Sequence, residues 1–189
     1  MPELFKNKYR VPSPRLPLWD YSQVASYFIT ICTKDRECFF GEIIKPSPVE
    51  TQCVASLSGS PLRLNILGER VETEWLKTKD LRPDMNLELD EYVVMPNHFH
   101  GIITVGENEY NMIDSDNYKN IFRSQSKNLA SIIRGFKSAV TTFARKNEIV
   151  FDWQTRFHEH IIRTNEDHMK ISEYILNNPY QWQEDELYK

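Results

Sequence analysis

His98 and His100, separated by one phenylalanine, are the first candidates for chemistry in this sequence. If the segment is a β-strand, residues i and i+2 point to the same face, so the two imidazoles would lie side by side and could hold one divalent cation. Phe99 would then point into the core and anchor the strand. Taken alone, however, a pair with this spacing is more often packed or on the surface than bound to a metal.

A second candidate lies near the C-terminal end, where EYILNNP places Tyr174 and Asn178 four residues apart. On a helix this spacing puts both side chains on one face, one turn apart. Pro179 disfavours helical geometry at the residue before it, so Asn178 is expected at the very end of the helix. Without further information, a tyrosine covering the core and an asparagine stopping a helix explain the pair better.

His158 and His160 repeat the histidine spacing in the later segment FHEHIIR. They could join the first pair or form a cluster of their own, but no cysteine or aspartate accompanies them at the spacing of a metal site. We therefore interpret His160 as a supporting group or an alternative ligand, and His158 as a surface residue.

The basic residues are unevenly distributed in a chain whose formal net charge is −4. Residues 119–146 contain seven Lys and Arg and no Asp or Glu, so the 16 basic and 27 acidic residues elsewhere leave −11. The apolar residues of this segment predict an amphipathic helix, and its basic residues form a solvent-facing stripe that could bind nucleic-acid phosphates. A merely solvated helix face is the alternative. The candidates are Arg134, Lys137 and Arg145, with Arg10 and Arg15 near the N-terminus as weaker ones.

The hydrophobic pattern predicts the elements that position these residues. β-branched and aromatic runs indicate strands, and apolar residues spaced by three and four indicate helices. In chain order we predict a strand at 26–33, a loop at 45–61, a helix from Leu64 that ends before Pro83, an antiparallel pair of strands around the turn at 95–97, a helix at 129–143, a strand at 151–163 and a helix that begins at Thr164.

This order predicts a ferredoxin-like α+β sandwich, β-α-β-β-α-β, with an added C-terminal helix that carries Tyr174. A chain of 189 residues suits one core, and no repeat or linker divides it. We therefore expect a single domain over residues 1–189, with an N-terminal arm at 1–25, a core at 26–179 and a short tail at 180–189.

The composition, 40% apolar and 26% charged, is typical of a globular protein. No apolar run approaches the ~20 residues that span a bilayer, and the N-terminus lacks the apolar stretch of a secretory signal, so we expect a cytoplasmic protein with no membrane partner. Cys32, Cys38 and Cys53 form an odd set without CxxC spacing, which suggests neither a disulfide framework nor a zinc knuckle.

Three motifs occur in order along the chain: MPNHFHG, WQTRFHEHIIR and YILNNP. Together they resemble the single-tyrosine transposases of the HUH superfamily, in particular the REP-associated tyrosine transposases, and the likeness covers nearly the whole chain. HUH denotes two histidines around a hydrophobic residue, which His98 and His100 match. The family's nucleophilic tyrosine opens a Tyr-Ile motif matched by Tyr174, and its third metal ligand, a Gln or Asn one helical turn later, is matched by Asn178.

The resemblance implies cleavage and rejoining of single-stranded DNA at hairpin-bearing ends through a 5′-phosphotyrosine on Tyr174. It also implies Mg²⁺ or Mn²⁺ on His98, His100 and Asn178, which would polarise the scissile phosphate. A phenol of pKa near 10 is ionised only ~0.1% at pH 7, so about 4 kcal/mol must be supplied by the metal or the local field. No nucleotide cofactor is implied, because the covalent intermediate conserves the phosphodiester energy.

Two other functions are left open by these residues. A metal-dependent phosphoesterase would use the same histidines to activate water and would form no adduct with DNA. A domesticated, non-catalytic nucleic-acid-binding protein would keep the basic helix and would not need Tyr174, and the acidic total charge leaves room for it. The target hairpin, a homodimer, and whether Tyr174 serves its own subunit's metal or a partner's are also left open.

Overall fold

Six strands and three helices make up the regular structure of the protein in a computed structural model that describes residues 19–44, 61–112 and 126–189. The candidates Arg10 and Arg15, together with Cys53, lie outside the described residues. The elements are β1 (Ala25–Cys32), β2 (Gly41–Ile43), β3 (Leu62–Leu64), α1 (Ile66–Asp80), β4 (Leu87–Val94), β5 (His98–Val105), α2 (Leu129–Lys146), β6 (His158–Ile162) and α3 (Asn165–Asn177).

Four strands form one antiparallel sheet in the order β4-β5-β1-β6. This is the strand order of a ferredoxin-like sandwich, so the predicted fold class is confirmed. A separate antiparallel pair joins β2 with β3. The sequence of residues 34–44 indicates a charged turn and a short extended piece, which contains β2, but the pairing with β3 was not predicted. Leu64 belongs to this pair, and the predicted helix begins two residues later because the Asn65 side chain accepts hydrogen bonds from the backbone N–H groups of Leu67 and Gly68.

The two faces of β5 are divided between the core and the candidate site. Phe99 and Ile103 face a core built with α1 and α2, and the Phe99 ring lies 4.7 Å from the Trp75 ring. On the opposite face, Ile102 packs in a smaller cluster with Ile175 of α3. The alternation predicted around His98 is therefore confirmed.

The strand predicted over residues 151–163 is wrong in its first half. Only 158–162 pair with β1, whereas Trp153 forms an isolated bridge with Thr33. The apolar residues that suggested a strand instead pack as aromatic rings, with Phe151 and Trp153 both against Phe40. Ring packing here replaces strand pairing as the way to bury these side chains.

The last helix begins and ends where the sequence predicts. The Thr164 side chain accepts a hydrogen bond from the backbone N–H of Asp167 and caps α3. Asn178 follows the last residue of α3 as its C-terminal cap, so its predicted place at the very end of the helix is confirmed, although it keeps the helical angles (φ −54°, ψ −42°) that Pro179 disfavours. The turn continues past the proline, because the backbone N–H of Tyr180 donates to the carbonyl of Asn177.

Cys32 is a buried free thiol and Cys38 an exposed one. Among the described residues, no helix combines the length and apolar character needed to cross a bilayer. That the whole chain forms one domain stays a prediction.

Candidate functional site

The two imidazoles of β5 lie together and almost completely buried. His98 is 0% and His100 2% exposed, and their ring centroids are 4.5 Å apart. Burial lowers the pKa of each ring to about 3, a shift that the nearby Asn178 side chain partly opposes for His98. Both imidazoles are therefore neutral at physiological pH, and each offers a lone pair to a metal.

Hydrogen bonds on the far side of each ring fix its orientation. Nδ1 of His98 lies 2.8 Å from Oδ1 of Asn97, and Nδ1 of His100 lies 2.9 Å from the Thr30 hydroxyl. Nε2 of His98 is buried and has no hydrogen-bond partner among the described residues. Rings held through one nitrogen with the other directed inward are typical of histidine metal ligands.

Tyr174 brings its hydroxyl to the same place from α3. The hydroxyl lies 3.3 Å from Nε2 of His100 and donates to Oδ2 of Asp185 at 3.2 Å. Phe28 stacks on His100 and meets the Tyr174 ring edge-on, which holds both rings in place. Burial, then the Asp185 charge and hydrogen bond, raise the pKa of Tyr174 to about 12.

Asn178 lies one helical turn beyond Tyr174 and is 2% exposed. Its Nδ2 donates to Oδ2 of Asp185 at 2.6 Å. Since a carboxylate only accepts hydrogen bonds, this contact fixes which end of the amide is the nitrogen. The other end, Oδ1, is buried without a partner in the described part of the chain.

Asp185, in the predicted tail, is the functional candidate that sequence reasoning missed. His98, His100 and Asp185 each offer one ligand atom, and these atoms all lie within 4.8 Å of one another, so the group could bind a metal. Two nitrogens, a carboxylate and the unpartnered Asn178 oxygen form a donor set suited to a divalent ion. Nothing in its spacing distinguishes Asp185 from the other acidic residues nearby, so no sequence signal pointed to it.

The second histidine pair is not brought into this cluster. His158 lies opposite Thr30, and His160 lies opposite Phe28, with both imidazole side chains exposed on β6. The place that we gave to His160 as an alternative ligand is instead occupied by Asp185.

The basic stripe of α2 is only partly solvent-facing. Lys137 is half-buried, because its ammonium group donates to the carbonyl of Gln154 at 2.5 Å and lies over the Trp153 ring. Burial lowers its pKa to about 8. Lys137 and Arg145 line an open groove of about 350 Å³ together with Ser and Thr hydroxyls. Arg134 is exposed on the same helix and does not line this groove.

Comparison with known proteins gives a sequence relative and several solved structures. No protein-family model matches the chain. A Haemophilus influenzae protein described as uncharacterized is 38% identical over 181 residues, which are 93% of this chain and 92% of that protein. A REP-associated tyrosine transposase solved with a REP hairpin is 20% identical and superposes with a TM-score of 0.51 over 93% of this chain and 74% of its own. The superposition on the transposase structure establishes the fold of this chain.

Proposed function

The chain belongs to the same family as the Haemophilus influenzae protein and has the fold of a REP-associated tyrosine transposase, and on this premise we propose that it cleaves and rejoins single-stranded DNA through Tyr174. One observation carries the proposal. The Tyr174 hydroxyl lies 3.3 Å from Nε2 of His100, beside the unpartnered Nε2 of His98 and Oδ1 of Asn178. A phenol this close to a set of buried ligand atoms supports a role for Tyr174 as the nucleophile that attacks a phosphate bound there.

A divalent ion, Mg²⁺ or Mn²⁺, would be held by His98, His100 and Asn178, with Asp185 within reach as a further ligand. When bound, it would polarise the scissile phosphate and stabilise the charge that develops there. The imidazoles and the Asn178 amide are neutral, so among these groups only the Asp185 carboxylate would cancel part of the positive charge of the ion.

In the reaction the Tyr174 oxygen attacks phosphorus and forms a phosphotyrosine bond, while the bond to the 3′-oxygen of the neighbouring nucleotide breaks. The Asp185 carboxylate, which already accepts the phenol hydrogen bond at 3.2 Å, is placed to take the phenol proton. The leaving 3′-oxygen takes a proton from solvent water and becomes a free hydroxyl. Rejoining is the reverse reaction, in which a 3′-hydroxyl attacks the phosphotyrosine.

All the groups in this scheme belong to one chain. Tyr174 of α3 and His100 of β5 are within 3.3 Å in a single copy, which supports action of the tyrosine on its own subunit's metal. We therefore propose that Tyr174 acts in cis, with one chain supplying all of these groups.

The DNA would be held by the basic residues of α2, Arg134, Lys137 and Arg145, through its phosphates. The groove beside Lys137 and Arg145 supports this role, because hydroxyls next to cations suit phosphate oxygens. These residues lie across the sheet from Tyr174, so they would anchor DNA away from the cleaved bond. A hairpin at the end of a mobile element is the substrate that we propose.

The test is a denaturing gel of the protein with labelled single-stranded hairpin DNA from the flanks of its own gene, with Mg²⁺ or Mn²⁺. We expect an adduct that survives denaturation and is lost in Tyr174→Phe. Tyr180→Phe, which removes the hydroxyl of an exposed tyrosine just beyond α3, is the matched control and should retain the adduct.

Each other result identifies an alternative. Cleavage that persists in Tyr174→Phe without an adduct would point to a phosphoesterase that activates water. DNA binding without cleavage in either metal would point to a non-catalytic nucleic-acid-binding protein. An undiminished adduct in Tyr174→Phe would show that another residue is the nucleophile.

A further inference from the structure

Asn97, a fully buried polar residue in the turn between β4 and β5, has no assigned role in the scheme above. We propose that Asn97 is a positioning residue that holds His98 in one tautomer, with the proton on Nδ1 and the lone pair of Nε2 directed into the site. The proposal deepens the proposed function, since it concerns how the chain prepares a metal ligand.

The orientation of the Asn97 amide follows from its partners. Its Nδ2 lies 2.8 Å from the backbone carbonyl of Leu187 and 3.2 Å from that of Arg36. Carbonyl oxygens only accept hydrogen bonds, so both contacts require an NH₂ group at this end of the amide. Oδ1 must therefore be the atom that faces Nδ1 of His98, at 2.8 Å.

The tautomer of His98 follows in turn. An amide oxygen can only accept, so Nδ1 must carry the proton that makes this hydrogen bond. In a neutral imidazole the other nitrogen is then bare, and Nε2 of His98 is buried without a hydrogen bond of normal geometry among the described residues, with the Asn178 side chain beside the ring. The two backbone carbonyls fix the orientation of the Asn97 amide, and Oδ1 of Asn97 fixes the proton of His98 on Nδ1. Nε2 of His98 therefore carries a lone pair before any ion binds.

The backbone of Asn97 is held as firmly as its side chain. Its carbonyl accepts from both the backbone N–H and the hydroxyl of Thr33 at 2.9 Å. The Thr30 hydroxyl, which faces Nδ1 of His100, can donate or accept, so this contact alone does not assign the tautomer of His100.

The experiment measures the ring nitrogens directly, by NMR of the full chain labelled with ¹⁵N at histidine, without metal and near pH 7.5. We expect His98 to show a protonated Nδ1 and a bare Nε2. In Asn97→Ala, where the acceptor is lost, the signals should move toward a mixture of tautomers. Asn97→Asp retains an acceptor and should keep the wild-type tautomer. A protonated Nε2 in the wild type, or unchanged signals in Asn97→Ala, would overturn the proposal.

A titration with Mn²⁺ alone supplies the second readout. Loss of a residue that orients a ligand typically costs 10–100-fold in metal affinity, and we expect that loss in Asn97→Ala and a smaller one in Asn97→Asp. Asn128→Ala, which removes the side-chain cap of α2 on the other face of the sheet, controls for lost stability and should bind as the wild type does. If Asn97→Ala and Asn128→Ala lost the same factor of Mn²⁺ affinity, Asn97 would have only a structural role.

These measurements need no DNA, so their outcome is separate from that of the adduct assay. If the adduct fails to form while His98 shows the expected tautomer, the proposed reaction fails and the role of Asn97 stands. If Asn97→Ala does not fold, the wild-type spectrum and Asn97→Asp still decide the question.

Discussion

Asn178 is the proposed third metal ligand, and the two ends of its amide have different surroundings. Its Oδ1 is buried and unpartnered while its Nδ2 contacts Asp185, so the amide supplies an oxygen on one side and steadies a carboxylate on the other. The first half of this arrangement predicts ligation. The second half predicts that removing the amide will also release Asp185.

Asn178→Ala should therefore raise the Mn²⁺ concentration needed for half-maximal binding by roughly tenfold or more, as loss of a ligand group does. Asn178→Gln should restore part of the affinity. Asn178→Asp should bind the ion more tightly and cleave more slowly, because a second carboxylate cancels charge that the phosphate would otherwise meet. Calorimetry and cleavage rates measure both effects, and wild-type behaviour in all three variants would make Asn178 a helix-end residue only.

The buried imidazoles should also make stability depend on pH. The pKa of His98 and His100 in the folded chain is about 3, whereas an unfolded histidine has a pKa of about 6.5. Between these values the unfolded chain binds more protons, so the free energy of unfolding falls as the pH falls below 6.5. At pH 5 the loss should be about 2 kcal/mol for each ring.

Urea unfolding of the metal-free protein at pH 7 and pH 5 measures this loss. It should largely vanish in the double variant His98→Gln/His100→Gln. The exposed pair on β6 provides the control, because His158→Gln/His160→Gln should retain the wild-type dependence. The same dependence in both double variants would contradict the assignment.

At the level of elements, β5 is held against α1 by a glycine. A Cβ atom on Gly101 would come within 2.8 Å of the Phe99 ring and 2.9 Å of the Trp75 ring. Gly101 lies on the core face of β5, directly opposite Ile29 of β1. The close approach of these rings to the backbone therefore requires a residue without a side chain.

Gly101→Ala should lower the free energy of unfolding by about 1–3 kcal/mol, because the added methyl group forces both rings to shift. Urea denaturation measures the change, with Ser138→Ala on the exposed face of α2 as the control. A change within about 0.5 kcal/mol would mean that the rings move aside freely.

The elements that repeat a pattern over several residues were predictable from the sequence. The alternation around His98 and the apolar spacing up to Trp75 indicated β5 and α1 correctly, because burying one face imposes a period. The short strand β3 and the irregular residues 151–157 were not predictable. In segments this short, strand pairing and bends depend on contacts with residues that are distant in sequence. Asn97 and Asp185 were missed for the same reason, as only the folded chain brings them to His98 and His100.

For the molecule as a whole, the sheet separates the basic helix from the tyrosine. α2 packs on the core face, and α3 carries Tyr174 on the other. If α2 anchors DNA, mutations there should weaken binding and leave the chemistry at saturating DNA unchanged. The uneven charge of the chain, with its basic segment within an acidic remainder, would then restrict phosphate contacts to this face.

Lys137 makes this prediction pH-dependent. Its pKa of about 8 means that the ammonium group is mostly charged at pH 7 and mostly neutral at pH 9, whereas an exposed lysine would remain charged. If it contacts one phosphate, the slope of log affinity for single-stranded DNA against log salt should fall in magnitude by roughly 0.7 between these values.

Fluorescence anisotropy at several salt concentrations measures the slope. Lys137→Arg should lose the pH dependence and keep the steeper slope, whereas Lys137→Ala should be shallow at both pH values. Arg134→Ala and Arg145→Ala should reduce the slope equally at pH 7 and pH 9. Slopes that match the wild type in every variant would show that the basic residues of α2 form only a solvated helix face and do not contact DNA.

The alternation of β5 also determines what an insertion would do. One residue added to this strand would exchange its faces, turning Phe99 toward Tyr174 and His100 toward Trp75. Such a chain would lose its core and its ligand pair in one step. The aromatic packing on the core face of the sheet therefore specifies the register of β5. Any copy of the protein that folds stably has its imidazoles facing the tyrosine.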